Sequence, residues 1–285
     1  DKIFERSGRD VISGVLKSRS GNKYPVRKGV PILLNRYTQP VKTVDSFAYE
    51  WEQFDFDYGK KGWLEDVVKP GVGGLNYFKN KVIIDCGSGS GRQSLWMAQA
   101  GAKLVFSLEL SGAAQSITKK VADMAGGKVF VIQCDISDPP INTRNVKVDL
   151  IYCVNVIQHT INPKLAVLGI TKLMNKKTDF IFNIYLKRNR KFILKTLELV
   201  RLLTRSLPFG LLKYLSLIAT CIFYPFKRYL PVGHSFKEIW LNLYDILGNH
   251  EYQKFYTEEE LTSILKNANL KIIRRLKYVM FLNKE

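Results

Sequence analysis

From Asn80 onward the chain alternates short apolar runs with longer amphipathic ones. The runs "KVIIDC", "KLVFSLE", "KVFVIQCD", "KVDLIYCVNVI" and "DFIFNIYL" are nearly continuous in apolar residues, the pattern of strands buried on both faces. Between them lie three stretches with helical periodicity: "GRQSLWMAQAG", which stops at Gly101, "AAQSITKKVADMAGG", with its own glycine stop, and "PKLAVLGITKLM". Strands regularly separated by helices pair in parallel through right-handed crossovers. The pattern therefore predicts an α/β fold with a doubly wound, Rossmann-like sheet. Further on, Thr257 and Glu260 have capping-box spacing at the start of the helix "EEELTSILKNA". Two short strands near 270–275 and 277–282 bring the sheet to seven strands, the last as a hairpin partner.

The flanking segments read differently. Residues 1–40 form a small β-rich segment: "GVLKSRSGNKYPVRKGVPILL" is broken by "SGN", Pro25 and Pro31, as in a hairpin followed by an extended edge. Residues 41–79 are expected to be a helical cap. Its "DSFAYEWEQFDF" spaces Phe47, Trp51 and Phe54 as on a helix, either as packing or as a flap over a ligand. The core then comprises 80–186 and 257–285, with 187–256 as an inserted helical lid. Within the insert, 187–228 holds ten Lys or Arg against one acid, Glu198. The stretch Tyr214–Phe226 runs thirteen residues without a charge. That is too short to cross a bilayer and suits a core or interfacial helix.

Composition narrows the class. A 285-residue chain with 46% hydrophobic residues and no low-complexity tract is a folded protein. Its formal net charge of +19 points to an anionic partner, whether nucleic acid, membrane surface or acidic substrate. Cys86, Cys134, Cys153 and Cys221 are scattered, and three of them fall in core strands. No metal site or disulfide framework is expected from them, and a reducing cytoplasmic setting is. No secretory signal pattern is legible.

The chemistry centres on "VIIDCGSGSGR", Val82–Arg92. A dinucleotide-binding turn needs GxGxxG, whereas Gly87, Gly89 and Gly91 are spaced GxGxG, and the Lys-Ser/Thr pair of a phosphate-binding loop is missing. Asp85 precedes the turn, where it would repel a diphosphate and suit a ligand carrying an ammonium group. Glu109 ends the second strand, placed to accept both hydroxyls of a ribose, and Asp135 follows the third, suited to an adenine amino group. Three acids at successive strand ends form one ligand-binding edge.

On these residues the chain resembles the class I S-adenosylmethionine-dependent methyltransferases of the type 11 group. "VIIDCGSGSGR" matches their first motif, "VFSLELS" their second and "VDLIYCVNVIQHT" their fourth-strand motif. The resemblance covers about 80–185 strongly and reaches the C-terminus more loosely. It implies S-adenosyl-L-methionine as cofactor, S-adenosyl-L-homocysteine as product, and no metal. The implied cofactor residues are Asp85, Cys86, Gly87, Ser88, Gly89, Gly91 and Arg92 in the turn, Glu109 and Leu110 at the ribose, and Asp135 and Ile136 at the adenine. Asn155 and Val156 lie toward the methyl group, with Tyr49 and Trp51 contributed by "SFAYEW", a segment that packs over the cofactor in such enzymes. The first forty residues resemble the zinc-ribbon-like module often fused to this family. They keep "YPV" and "GVPILL" but have Ser18 and Ser20 in place of cysteines, as in a structural cap that has lost its metal.

The acceptor side is less specified. His159, titrating near neutrality, is the candidate general base, or else it only hydrogen-bonds within its loop. Gln158, His159, Tyr185, Asp245, His250, Tyr252 and Gln253 are the candidate substrate residues. The expected activity is methyl transfer to an oxygen or nitrogen, less readily a carbon, of a small-molecule, glycan or lipid-linked acceptor. Two readings stand beside it: an RNA methyltransferase, and a non-catalytic binding module at a membrane surface. The basic insert fits peripheral docking on the anionic inner face of a membrane. It also allows nucleic acid, though less well, or a helical pair with a solvated basic face.

Overall fold

The structure, a computed structural model, describes residues 2–8, 10–34, 42–54, 56–143, 146–187, 199–204, 206–229, 235–248, 254–277 and 279–285. The N-terminal strands β1 (Lys2–Ser7), β2 (Asp10–Lys17), β3 (Lys23–Arg27) and β4 (Val30–Pro31) form an antiparallel sheet in that order. Where the zinc-ribbon pattern has cysteines, the Ser18 and Ser20 hydroxyls bond each other at 2.8 Å, and the Asn22 N–H donates to Ser18 Oγ at 3.0 Å. The turn is thus closed by hydrogen bonds between side chain and backbone. The chain leaving β4 is tied to the main sheet by a bridge between Ile32 and Gln133, and the Leu33 N–H donates to the Gln133 carbonyl at 2.8 Å.

The main sheet contains β5 (Val82–Cys86), β6 (Leu104–Glu109), β7 (Val129–Gln133), β8 (Leu150–Cys153), β9 (Asp179–Phe182), β10 (Leu270–Arg275) and β11 (Met280–Lys284). Its order is β10-β11-β9-β8-β5-β6-β7. β5 pairs in parallel with β6 on one side and β8 on the other, so the chain direction across the sheet reverses at β5. Ligands of open α/β sheets bind outside the strand ends at such a switch point, and here the glycine-rich turn lies there. The C-terminal hairpin closes the far edge, β11 running antiparallel to both β9 and β10. β11 starts three residues later than the apolar run suggested, because the Leu276 N–H bonds the Val279 carbonyl in the turn.

Alternation along the strands builds two cores. Ile84, Ile151, Cys153, Phe180 and Phe182 face α4 (Pro163–Thr171) and α7 (Glu258–Asn267). Ile83, Leu150, Tyr152 and Ile181 face α2 (Arg92–Gln99) and the helical turns Lys60–Trp63 and Leu64–Val68. Of the four cysteines, Cys86, Cys134 and Cys153 are buried in the first core and Cys221 is exposed. The predicted capping box is present on α7: Thr257 accepts from the Glu260 N–H, and Glu260 accepts from the Thr257 N–H.

α1 (Lys42–Gln53) lies over the strand ends, and α3 (Ile117–Asp123) follows β6. Part of the insert forms α5 (Phe209–Phe223) and α6 (Phe236–Leu247), which pack with Phe54, Leu212 and Tyr244 into a third, small core. The uncharged thirteen-residue stretch belongs to a longer helical run, Phe209–Arg228, of 20 residues and mean hydropathy 1.5. By length and composition alone this run is long and apolar enough to cross a membrane, where the uncharged stretch by itself is not. Its charges are Lys213, which does not interrupt the helix Phe209–Phe223, and Lys227 and Arg228 at its end.

Candidate functional site

The glycine-rich turn gets its shape from β6. The Gly87 and Ser88 N–H groups both donate to the Leu108 carbonyl, at 2.8 and 2.9 Å. Gly87 and Gly89 have φ of +72° and +54°, a region that disfavours side chains. Both are also crowded: a Cβ on Gly87 would lie 2.5 Å from the Val156 side chain, and one on Gly89 2.8 Å from the Trp51 indole. The turn is clamped from beneath by Glu109, whose Oε2 accepts from the Gly89 N–H at 2.8 Å and Oε1 from the Ser111 N–H at 2.9 Å. Thr118 Oγ1 completes the clamp by donating to the Gly89 carbonyl.

Above the turn is a cavity of about 330 Å³, walled by Gly87, Gly89, Glu109, Leu110, Asp135, Ile136, Asn155, Val156 and His159, with Phe47 and Trp51 of α1 as its roof. Phe47 and Trp51 stack with centroids 5.9 Å apart, being four residues apart on one helix face. Asp135 holds its loop through Oδ1, which accepts from the Ser137 N–H at 2.7 Å. A slot with an aromatic roof, aliphatic walls and a carboxylate at each of two strand ends fits a nucleoside: apolar faces for the base, acids for its amino group and ribose hydroxyls. The floor admits close approach only because positions 87 and 89 lack a Cβ.

The remaining cofactor candidates lie behind this surface or away from it. Asp85 shares its β-sheet face with Ile83, so period two turns it under α2, where Ser94 Oγ donates to Oδ2 at 2.6 Å. Burial pushes the Asp85 carboxyl up to about 7 despite that hydrogen bond, with the Glu109 charge adding to the rise. Cys86 is a core residue. Ser88 accepts from the Ser107 hydroxyl or donates to it at 2.7 Å, and Gly91 caps α2. Arg92 reaches out to Asp57, 3.8 Å away. Tyr49 points from the opposite face of α1 toward α5, its ring 5.5 Å from Phe209. Position in the motif therefore does not put Asp85, Cys86, Arg92 or Tyr49 on the cavity wall; strand alternation and helix phase turn them elsewhere.

On the other side of Asn155 a second cavity of about 620 Å³ opens, lined among others by Trp63, Tyr152, Asn183, Tyr185, Asn242 and Arg275. Asn155 lines both cavities and has φ of +63°. Asn183 fixes this conformation: its Oδ1 accepts from the Asn155 N–H at 2.6 Å, and its Nδ2 donates to Asn155 Oδ1 at 2.7 Å. That exchange ends β9 at Phe182, four residues earlier than the apolar run implied. Asn183 was not among the residues expected from sequence, although an amide inside "DFIFNIYL" was a legible signal.

An aromatic series links the two cavities. The His159 ring meets Phe47 edge-on at 4.9 Å and Tyr185 edge-on at 5.8 Å, and Tyr185 lies 5.5 Å from Phe255. Burial raises the Tyr185 phenol well above its usual range, with Asp245 adding to the rise, so the hydroxyl stays neutral. Glu50 of α1 is buried and is likewise held protonated well above the usual carboxylate range, by burial and then by the Asp245 charge. Gln158 is wholly buried beside Tyr185. The structure thus brings Gln158, His159, Tyr185 and Asp245 together; the candidates His250, Tyr252 and Gln253 lie outside the described residues. No cluster of metal-ligating side chains occurs among the described residues.

Comparisons with known proteins point to one class of domain. Residues 83–174 match a family described as "Methyltransferase domain". Among curated proteins the chain is similar to protein arginine N-methyltransferase 1 of Caenorhabditis elegans, 44% identical over 99 residues, which are 30% of this chain and 28% of that one. It is also similar to the mitochondrial ubiquinone biosynthesis O-methyltransferase of Schizosaccharomyces pombe, 26% identical over 265 residues, 86% of this chain and 77% of the relative. The match thus spans little more than a quarter of the first relative and about three quarters of the second. Among solved structures, the magnesium protoporphyrin IX methyltransferase of Synechocystis with bound S-adenosylhomocysteine aligns at TM-score 0.45 and 16% identity, covering 87% of this chain and 90% of that one. From β5 to just beyond α4, then, residues 83–174 match a methyltransferase domain.

Proposed function

We propose that the protein transfers a methyl group from S-adenosylmethionine to an oxygen, or less favourably a nitrogen, of a small-molecule or lipid-linked acceptor held in the cavity beyond Asn155. The observation that carries this is the meeting of the two cavities at Asn155: one has nucleoside chemistry, and the other is larger and lined by polar and aromatic side chains. The relative that aligns over most of this chain is named as an O-methyltransferase of ubiquinone biosynthesis, which supports an oxygen acceptor.

When bound, S-adenosylmethionine supplies an electrophilic methyl carbon on a positively charged sulfur. The chain's own residues do the rest. Glu109 receives the ribose hydroxyls and Asp135 the adenine amino group. Phe47 and Trp51 close the roof against water, which leaves the acceptor as the competing nucleophile. Asn155, locked by Asn183, sets the opening through which the acceptor atom approaches, and such positioning supplies much of the acceleration in an in-line displacement. His159 lines the cofactor cavity, meets Tyr185 of the second cavity edge-on, and takes the proton from an acceptor hydroxyl.

The test is transfer of a tritiated methyl group from the cofactor to three separate acceptors: a catechol with a prenyl tail, a lipid-linked sugar, and bulk tRNA. Label in either of the first two, reduced in kcat by His159→Gln with S-adenosylhomocysteine binding retained, is the expected result. Label in tRNA alone overturns the proposal in favour of an RNA methyltransferase. Cofactor binding with no transfer to any of the three favours the binding-module reading.

A further inference from the structure

α5 is amphipathic in the wrong sense for a helix on a water-facing surface. Such helices turn apolar residues to the core and polar ones to water. Here the stripe turned to the protein is Leu212, Ser216 and Thr220, all fully buried. The two hydroxyls are satisfied internally: Ser216 Oγ donates to the Lys213 carbonyl at 2.9 Å and accepts from Trp240 Nε1 at 3.0 Å, and Thr220 Oγ1 donates to the Ser216 carbonyl at 2.7 Å. The stripe turned outward is Leu211, Tyr214, Leu215, Ile218 and Ile222. At 3.6 residues per turn these five fall within roughly 100° of arc, nearly opposite the buried stripe. Ile218 and Ile222 are 57% and 60% exposed, and Phe226 beyond them is 58% exposed. A contiguous apolar face of this kind marks an interaction site.

Charge indicates what covers it. Residues 199–237 contain six Lys or Arg and no Asp or Glu. Of the cations in the helical run, Arg228 is exposed at its end, whereas Lys213 lies on the protein-facing side with its Nζ donating to Gln53 Oε1 at 2.7 Å, and Lys227 turns to Tyr224. A second copy would bring the same cation-bearing, acid-free segment against this one. An anionic bilayer surface offers both an apolar interior for the isoleucines and leucines and headgroups for the cations. Tyr214 and Tyr224 are of the type that settles at the boundary between the two. At 20 residues the helix could reach about 30 Å, but crossing the bilayer would take α6 in with it. Trp240 of α6 is bonded to its inner stripe, and α6 carries Lys237, Glu238, Asn242 and Asp245, which would be drawn into hydrocarbon with it.

We infer that α5 lies in the plane of an anionic membrane surface with the Leu211–Ile222 face embedded, docking the protein from one side. This inference stands independently of which acceptor is methylated. α6 then separates the membrane from the second cavity, into which its Asn242 faces.

The test is cosedimentation of the full chain with phosphatidylcholine vesicles, with and without about 30 mol% phosphatidylglycerol. Wild-type protein is expected to pellet with the anionic vesicles, far less with the neutral ones, and to be released by carbonate. Ile218→Glu/Ile222→Glu is expected to lower the bound fraction at least about tenfold while S-adenosylhomocysteine binding stays unchanged, both positions being exposed and remote from the cofactor cavity. Undiminished binding by that variant, or equal binding to neutral and anionic vesicles, would overturn the inference. So would a wild-type dimer that ignores vesicles and that the variant dissociates, because a second copy would then cover the face. Retention after carbonate would show a spanning helix and overturn the in-plane orientation.

Discussion

Glu109 serves two structures at once, the glycine-rich turn and the cofactor site, so its removal has two separable readouts. The residue is 7% exposed, and its carboxylate accepts from two backbone N–H groups, of Gly89 and Ser111. Glu109→Ala leaves both donors without their partner. An unsatisfied buried donor costs about 1–3 kcal/mol. Because Glu109 borders a cavity, water partly replaces it, and the expected loss of stability is about 2–4 kcal/mol in all. In the proposed function the carboxylate also receives the ribose hydroxyls. Two charge-assisted hydrogen bonds at about 1.5 kcal/mol net each make about 3 kcal/mol, or roughly a hundredfold in Kd. Glu109→Gln keeps one acceptor oxygen but presents an NH2 to the second N–H, so about half of each effect is expected. Urea denaturation followed by circular dichroism measures the first quantity, and calorimetry with S-adenosylhomocysteine the second. A folded Glu109→Ala variant that binds S-adenosylhomocysteine within about threefold of wild type would refute the assignment of the ribose to Glu109. An unchanged urea midpoint would refute the clamp.

Two further outcomes follow from the same site. Gly89→Ala puts a methyl 2.8 Å from the Trp51 indole at a φ of +54°, so S-adenosylhomocysteine affinity should fall by at least about tenfold; Trp51→Ala in the same chain should restore part of it, as a calorimetric double-mutant cycle reads directly. Asp85 retains its proton in the native state up to pH about 7, whereas an unfolded chain loses it in the ordinary carboxylate range. Its contribution to stability is therefore greatest in acid and declines as pH rises to about 7, by at most about 4 kcal/mol; Asp85→Asn should flatten that stretch of the profile in urea melts at stepped pH, and an unchanged slope would refute it.

Much of this architecture is legible in residue order. The strand and helix sequence of the core follows from apolar runs between glycine stops. Glu109 and Asp135 are recognisable because each closes a buried strand, where an acid has few structural reasons to sit. What depends on phase was harder to read. Phe47, Trp51 and Phe54 look like one stripe, but only Phe47 and Trp51 roof the cavity; Phe54, at the helix end, packs against Trp240 and Tyr244. Asp85 and Arg92 belong to the motif by position, yet alternation buries the first under α2 and the helix start turns the second to Asp57. Asn183 acts through Asn155, 28 residues earlier, a pairing that only the β8–β9 neighbourhood creates. In α5, apolar content was plain, but which stripe faces the protein depends on Trp240 finding Ser216.

The tie between the N-terminal sheet and β7 has a mechanical meaning. β7 is the outermost strand of the main sheet on that side, and outer strands present open backbone groups that recruit other chains. Ile32 and Leu33 occupy those groups at Gln133, two residues before Asp135. The N-terminal segment thereby shields an open edge and steadies the strand end that, in the proposed function, offers Asp135 to the adenine. Loss of its serine-closed turn would be felt twice, as self-association and as a loosened grip on the base.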